Sequence, residues 1–170
     1  MLSTGWRVAE ACALEVSSVD FKAGTATVEA IAKRLPRLGM QRQLFPKTAA
    51  SARTTPLPKS TVELLARRRD RLEGQTNLLF PTPLMKLRDP SNTQREIRDR
   101  REDLGYPELS THSFRKTVAM MLDAAGLSAR DIAEYLGQAN PSITQDIYMA
   151  KQTGSKKAAE TMQRGLNGLF

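Results

Sequence analysis

The last third of the chain constrains its fold most, because short helical segments follow one another there, each with its own start and stop. Val118, Met121, Leu122 and Ala125 recur at i, i+3, i+4 and i+7, the spacing of one helix face, and Gly126 ends the run. Ser128 is placed to cap a second helix whose inner residues are Ile132 and Leu136, with Gly137 as its stop. Asn140-Pro141 reads as a cap followed by proline at the first helical position, so a third helix is expected there. Ile143 and Ile147 share its apolar stripe, and Tyr148 stands roughly 100° further round the axis, off that stripe. Ala158, Met162, Leu166 and Leu169 continue at helical spacing.

The first third follows a different period. LSTGWRVAEACALEV reads as a turn and a short helix with Val8, Cys12 and Val16 inward. SVDF and TATVEAIA then alternate in hydropathy around Lys22-Ala23-Gly24, a hairpin pattern. A third strand is expected near Gln43–Phe45 and a fourth near Arg53–Leu57, joined by the loop PKTAASA. Pro58 and STVELLARRRDRL mark a helix with Val62, Leu65 and Leu72 inward. Residues 73–92 read as a long connection, and Arg95–Leu104 as a polar helix. No internal repeat is present. The expected class is α+β, mostly helical, with one small antiparallel β-sheet near the N-terminal third.

At 170 residues the chain suits one domain spanning 1–170 and is long enough to bury a core. No apolar run approaches the ~20 residues of a membrane span, and the N-terminus lacks a signal-peptide layout. Cys12 is the only cysteine, so no internal disulfide forms, and a reducing, intracellular setting is the default expectation. Charge is more informative. The formal net charge is +8, and Lys33–Arg71 alone holds eleven basic residues against Glu63 and Asp70, a surplus of nine. A surplus gathered in one stretch fits a polyanion-binding surface, with a solvated basic face as the plainer alternative. No helix combines a basic face with an aromatic-rich apolar one, so nucleic acid is the better partner than membrane.

Several chemistries lack their residues. One histidine and one cysteine exclude zinc-ligand spacing. There is no glycine-rich phosphate loop, and no tight acidic cluster suited to two-metal nuclease chemistry. Phosphodiester cleavage without a metal needs cations to hold the phosphate and a side-chain nucleophile. Ser110-Thr111-His112-Ser113-Phe114-Arg115-Lys116 offers such cations: His112 and Arg115 are three apart at a helix start that Ser110 or Thr111 can cap. Read alone, His112 could equally be a histidine satisfied by local hydrogen bonds, Arg115 a plain surface arginine, and Tyr148 an amphipathic packing residue.

Four segments in order alter that balance: TGWRVAE, PKTAASARTTPLP, HSFRKTVA and EYLGQANPSITQDIY. Together, from about Thr4 to Tyr148, they resemble the tyrosine recombinase (phage integrase) family, with the Leu136-Gly137 step shortly before the tyrosine. The resemblance implies that Arg7 is the first catalytic arginine and Glu10, one turn on, an acid that orients it. It implies that Lys47 is the catalytic lysine, with Lys33, Lys59 and Lys116 as alternatives, and that His112 and Arg115 are the histidine and second arginine. Tyr148 matches the nucleophile. Gln138 departs from the pattern, since histidine or tryptophan usually follows the LG pair; an amide can donate to a phosphate oxygen but carries no proton or charge. Trp6 is read as a packing residue beside Arg7, and the run Arg67-Arg68-Arg69-Arg71 as a solvated or DNA-flanking face.

The implied activity is site-specific DNA recombination of the phage integration and excision type. Arginine forks would hold the non-bridging oxygens, Lys47 would protonate the leaving 5′ oxygen, and His112 would contact the phosphate or take the proton of Tyr148. A 3′-phosphotyrosyl link would keep the energy of the cut bond, with no metal or other cofactor. Implied partners are double-stranded DNA at specific attachment sites and, at full length, a tetramer on DNA. The tail 151–170 would either pack on a neighbouring protomer, through Met162, Leu166, Leu169 and Phe170, or on its own domain. The expected location is the cytoplasm of a bacterial host, with the nucleoid. The chain is expected to be a fragment, without the N-terminal DNA-binding domains and the first catalytic helix of the family. Two competing readings are a non-catalytic DNA-binding relic of the same fold and a type IB topoisomerase-like DNA relaxation.

Overall fold

The computed structural model of the chain describes residues 1–45 and 52–138. Lys47, the helix expected from Asn140, Tyr148 and the tail 151–170 lie outside those residues. Five α-helices and five strands occur within them: α1 (Val8–Cys12), β1 (Val19–Asp20), β2 (Thr25–Val28), β3 (Ala30–Leu35), β4 (Gly39–Leu44), β5 (Arg53–Pro56), α2 (Lys59–Leu72), α3 (Pro90–Arg100), α4 (Thr111–Ala124) and α5 (Ala129–Leu136). The class is α+β, helical with small antiparallel sheets, as expected.

The strands form two sheets rather than one. TATVEAIA does not run as a single strand: it divides at Glu29, so that β2 pairs with β1 and β5, while β3 pairs with β4. Glu29 stays joined through its carbonyl, which accepts the Phe45 N–H at 2.8 Å. The β3–β4 hairpin turns through Pro36, Arg37 and Leu38, with Arg37 at φ 63° and Gly39 at φ 72°. Arg42, on β4, donates to the Ala13 carbonyl and to Glu29, and pairs with Glu15 at 3.2 Å. That network pins the hairpin against the end of α1.

Three apolar clusters hold the rest. Trp6, Leu14, Val19, Ala26, Val28, Leu65 and Leu79 join the N-terminal turn, the three-stranded sheet and α2. Val8, Cys12, Ala13, Ala30 and Ala32 seat α1 on β3. Val118, Ala119, Ile132 and Leu136 lock α4 to α5. Complete burial of Ile132 and Leu136 is worth roughly 1.5–3 kcal/mol each, which is why an eight-residue helix persists where an isolated one would not.

Two expectations need correction. The polar helix begins at Pro90, not Arg95, because Asp89 caps it by accepting the Ser91 N–H at 2.9 Å, and it ends at Arg100. On α4 the apolar stripe is covered only in part. Val118 is buried, yet Met121 is 64% exposed and Ala125 is exposed. Met121 and Leu122 instead line an apolar groove of about 1050 Å³, with Leu2, Trp6, Leu64 and Leu65.

The basic stretch is partly committed to internal contacts. Arg34 pairs with Asp89 at 2.9 Å, Arg42 with Glu15 and Glu29, and Arg53 with Glu10. Arg68 lies over Phe80 and Arg69 over Phe21.

Candidate active site

Position 5 must be glycine for two reasons. Its φ of 64° favours a residue without Cβ, and a Cβ there would run into Leu136 Cδ2. The close approach brings the N-terminal turn onto the end of α5, where the Tyr135 hydroxyl also donates to the Ser3 carbonyl at 3.3 Å. Arg115 then closes the arrangement. Its guanidinium, 3% exposed, donates from Nη1 to the Gly5 carbonyl at 2.8 Å and from Nη2 to the Leu136 carbonyl at 2.7 Å. One cation thus ties together the turn leading into Arg7, the first turns of α4 and the turn leading to Gln138.

Ser110 starts α4 as a capping box: its hydroxyl accepts the Ser113 N–H, while the Ser113 hydroxyl accepts the Ser110 N–H at 3.1 Å. His112 sits in that first turn, exposed, one turn before Arg115. Gln138 follows Gly137, and its backbone N–H donates to the Ala133 carbonyl at 2.8 Å. Its side chain is half-buried.

Arg7 is the N-cap of α1, with its side chain 47% exposed. Glu10 holds it twice: one carboxylate oxygen accepts the Arg7 N–H and the other Arg7 Nη1, both at 2.9 Å. Glu10 is itself buried and also faces Arg53, whose Nη2 donates to it at 3.0 Å. Burial alone would raise the Glu10 carboxyl; hydrogen bonds and charge from Arg53, then from Arg7, outweigh it and hold the group below its ordinary value.

Arg7, Glu10, His112, Arg115 and Gln138 are therefore carried by segments that the structure joins directly. Lys47 and Tyr148 lie outside the described residues. A family model described as the phage integrase family matches residues 1–154.

The chain belongs to the phage integrase family.

Within reach of this integrase-family chain is a "Tyrosine recombinase XerC-like" protein of Caldanaerobacter subterraneus subsp. tengcongensis, 28% identical over 188 residues. The match covers 98% of this chain and 47% of that protein, so the chain spans about half the length of its curated relative. Among solved structures, the Tn1549 transposon integrase in complex with transposon right end DNA superposes with a TM-score of 0.82 at 20% identity. It covers 96% of this chain and 56% of that one. The XerA recombinase superposes with a TM-score of 0.70 at 25% identity, over 96% of this chain and 54% of that one.

Sequence reasoning passed over one residue of this site, Arg53. PKTAASAR was read only for its lysine. The available signal was strand period: Arg53 shares a face of β5 with the buried Thr55, and a cation at an inward position needs an inward acid. Glu10, on the buried side of α1, is that acid.

Proposed function

We propose that the chain is the catalytic domain of a site-specific DNA recombinase of the phage integration and excision type. The observation that carries the reading is Arg115, a buried cation whose two carbonyl bonds tie the turn before Arg7 and the turn before Gln138 to the helix that carries His112. Arg7 and Arg115 offer guanidinium donors to the non-bridging oxygens of a phosphodiester, where charge builds in the transition state. In this reading Tyr148 attacks the phosphorus through its phenolic oxygen, and the bond to the 5′ oxygen breaks. Lys47 gives the leaving oxygen its proton, while His112 takes the proton of Tyr148. The product is a 3′-phosphotyrosyl link and a free 5′-hydroxyl. Attack by the 5′-hydroxyl of another strand reverses the step and reseals the DNA, so no metal or ATP enters. Gln138 contributes a neutral donor only.

The family membership and the likeness to recombinases support this reading, and the Tn1549 integrase was solved on DNA. The proposal extends to double-stranded attachment sites as substrate and to a tetramer on DNA using the tail 151–170. It includes residence with the nucleoid in bacterial cytoplasm, and supply of the clamp around DNA by domains outside residues 1–170.

The test is covalent trapping on a nicked or phosphorothiolate-containing DNA site. An adduct that maps to Tyr148 and vanishes in Tyr148→Phe is the expected result. An adduct elsewhere would remove Tyr148 from the mechanism. Absence of any adduct with full-length protein on its own site would leave a DNA-binding relic, and adducts with relaxation but without strand exchange between two sites would mark a topoisomerase.

A further inference from the structure

Arg53 has a place in this site that none of the assigned roles covers. It stands at the start of β5, with its side chain 9% exposed. Nη1 and Nη2 donate to the two oxygens of Glu10 at 3.3 and 3.0 Å, a fork-to-carboxylate pairing that fixes the plane of the acid. The same two oxygens hold the Arg7 side chain and backbone. On its other flank the guanidinium lies against the turn after α5. A Cβ on Gly137 would come within 2.5–2.7 Å of Arg53 Nη1, Cζ and Nε, so any side chain there would have to displace the guanidinium. Gly137 also has φ 66° and immediately precedes Gln138.

We infer that Arg53 is a positioning residue: through Glu10 it sets the direction of Arg7, and through Gly137 it sets the turn that presents Gln138, so that both meet one phosphate. The inference rests on the recombinase reading. The effect of Arg53 passes through the groups it orients, Glu10 on one flank and the turn at Gly137 on the other. A lysine keeps the charge but loses the planar fork, so Arg53→Lys is no conservative change here. A small misplacement of a group at the reacting phosphate costs on the order of a hundredfold in rate.

The test measures single-turnover adduct formation on a nicked duplex. It compares wild type, Arg53→Lys, Arg53→Met, Arg7→Ala and the Arg7→Ala/Arg53→Met double variant. The Arg53 single variants are expected to form adduct roughly tenfold to a hundredfold more slowly at saturating DNA, with unchanged DNA affinity. In the Arg7→Ala background the methionine substitution is expected to cost far less, because part of what Arg53 positions is already gone. A purely structural role would cost the same in both backgrounds, and that result would overturn the inference. Should Arg53→Met fail to fold, Arg53→Lys carries the same comparison. Wild-type adduct with unimpaired Arg53 variants overturns this inference alone. No wild-type adduct overturns the recombinase reading and this inference with it.

Discussion

Arg115→Met is expected to slow DNA cleavage about a hundredfold to a thousandfold and to destabilise the fold by roughly 3–5 kcal/mol. On the proposed recombinase reading, the kinetic part is the loss of one preorganised donor to a phosphate whose charge grows in the transition state. The thermodynamic part is separate. Arg115 donates to the carbonyls of Gly5 and Leu136 where water does not reach. Each such bond to a charged group is worth ~1.5–3 kcal/mol, and a methionine leaves both acceptors unsatisfied. Urea unfolding read at constant slope gives the second quantity, and single-turnover cleavage under strongly native conditions gives the first. A variant with the wild-type midpoint would show that the two carbonyls find other donors, contrary to the staple described for this residue.

The second large effect belongs to Glu10. Glu10→Ala leaves Arg53 buried without its carboxylate, and breaking a buried pair in this way costs about 3–5 kcal/mol. Arg7 adds little to that figure, because its side chain is nearly half exposed and water screens it. Acid should do part of the same work. The folded protein holds the Glu10 carboxyl below its ordinary value of 4.5, so the unfolded chain takes up its proton first as pH falls. The stabilisation is present in full above the unfolded value and is lost as pH drops through the folded one. Glu10→Gln removes that titration. Denaturation of wild type and Glu10→Gln at a series of pH values from 7 downward is expected to give a gap that is constant to about pH 5 and narrows below it. A gap independent of pH would assign the acid response to other carboxylates.

Much of this was legible in the sequence where one local rule decided the outcome. Ser128 and Gly137 bound α5 as their chemistry requires, and the alternation around Lys22-Ala23-Gly24 does form the β1–β2 pair. Rules acting between distant segments were not legible. The strand Gly39–Leu44 is mostly polar and carries no apolar alternation, so only its end near Gln43 was read as strand and its pairing with β3 was not legible. Asp89-Pro90 is the same start signal that was recognised at Asn140-Pro141, but it sits in a stretch whose Gly, Pro and Asn content reads as loop. The stripe on α4 has correct helical period, and period alone does not say whether another element covers Met121. In the site, motif order singled out Arg7, Glu10, His112, Arg115 and Gln138. Arg53 escaped because its importance is a matter of partners 43 residues upstream and a glycine far downstream.

The bond from Arg115 to Gly5 spans 110 residues of chain. Gly5 and Arg7 are synthesised well before Arg115 and Leu136. At ~5–20 residues per second the interval is on the order of ten seconds. Throughout it the sheet and α1 can assemble from nearer contacts, while the second arginine and its acceptors are not yet together. A nascent chain therefore holds Arg7 long before Arg115 can join its turn to the end of α5, and the mutual arrangement of the two arginines is a late product of synthesis.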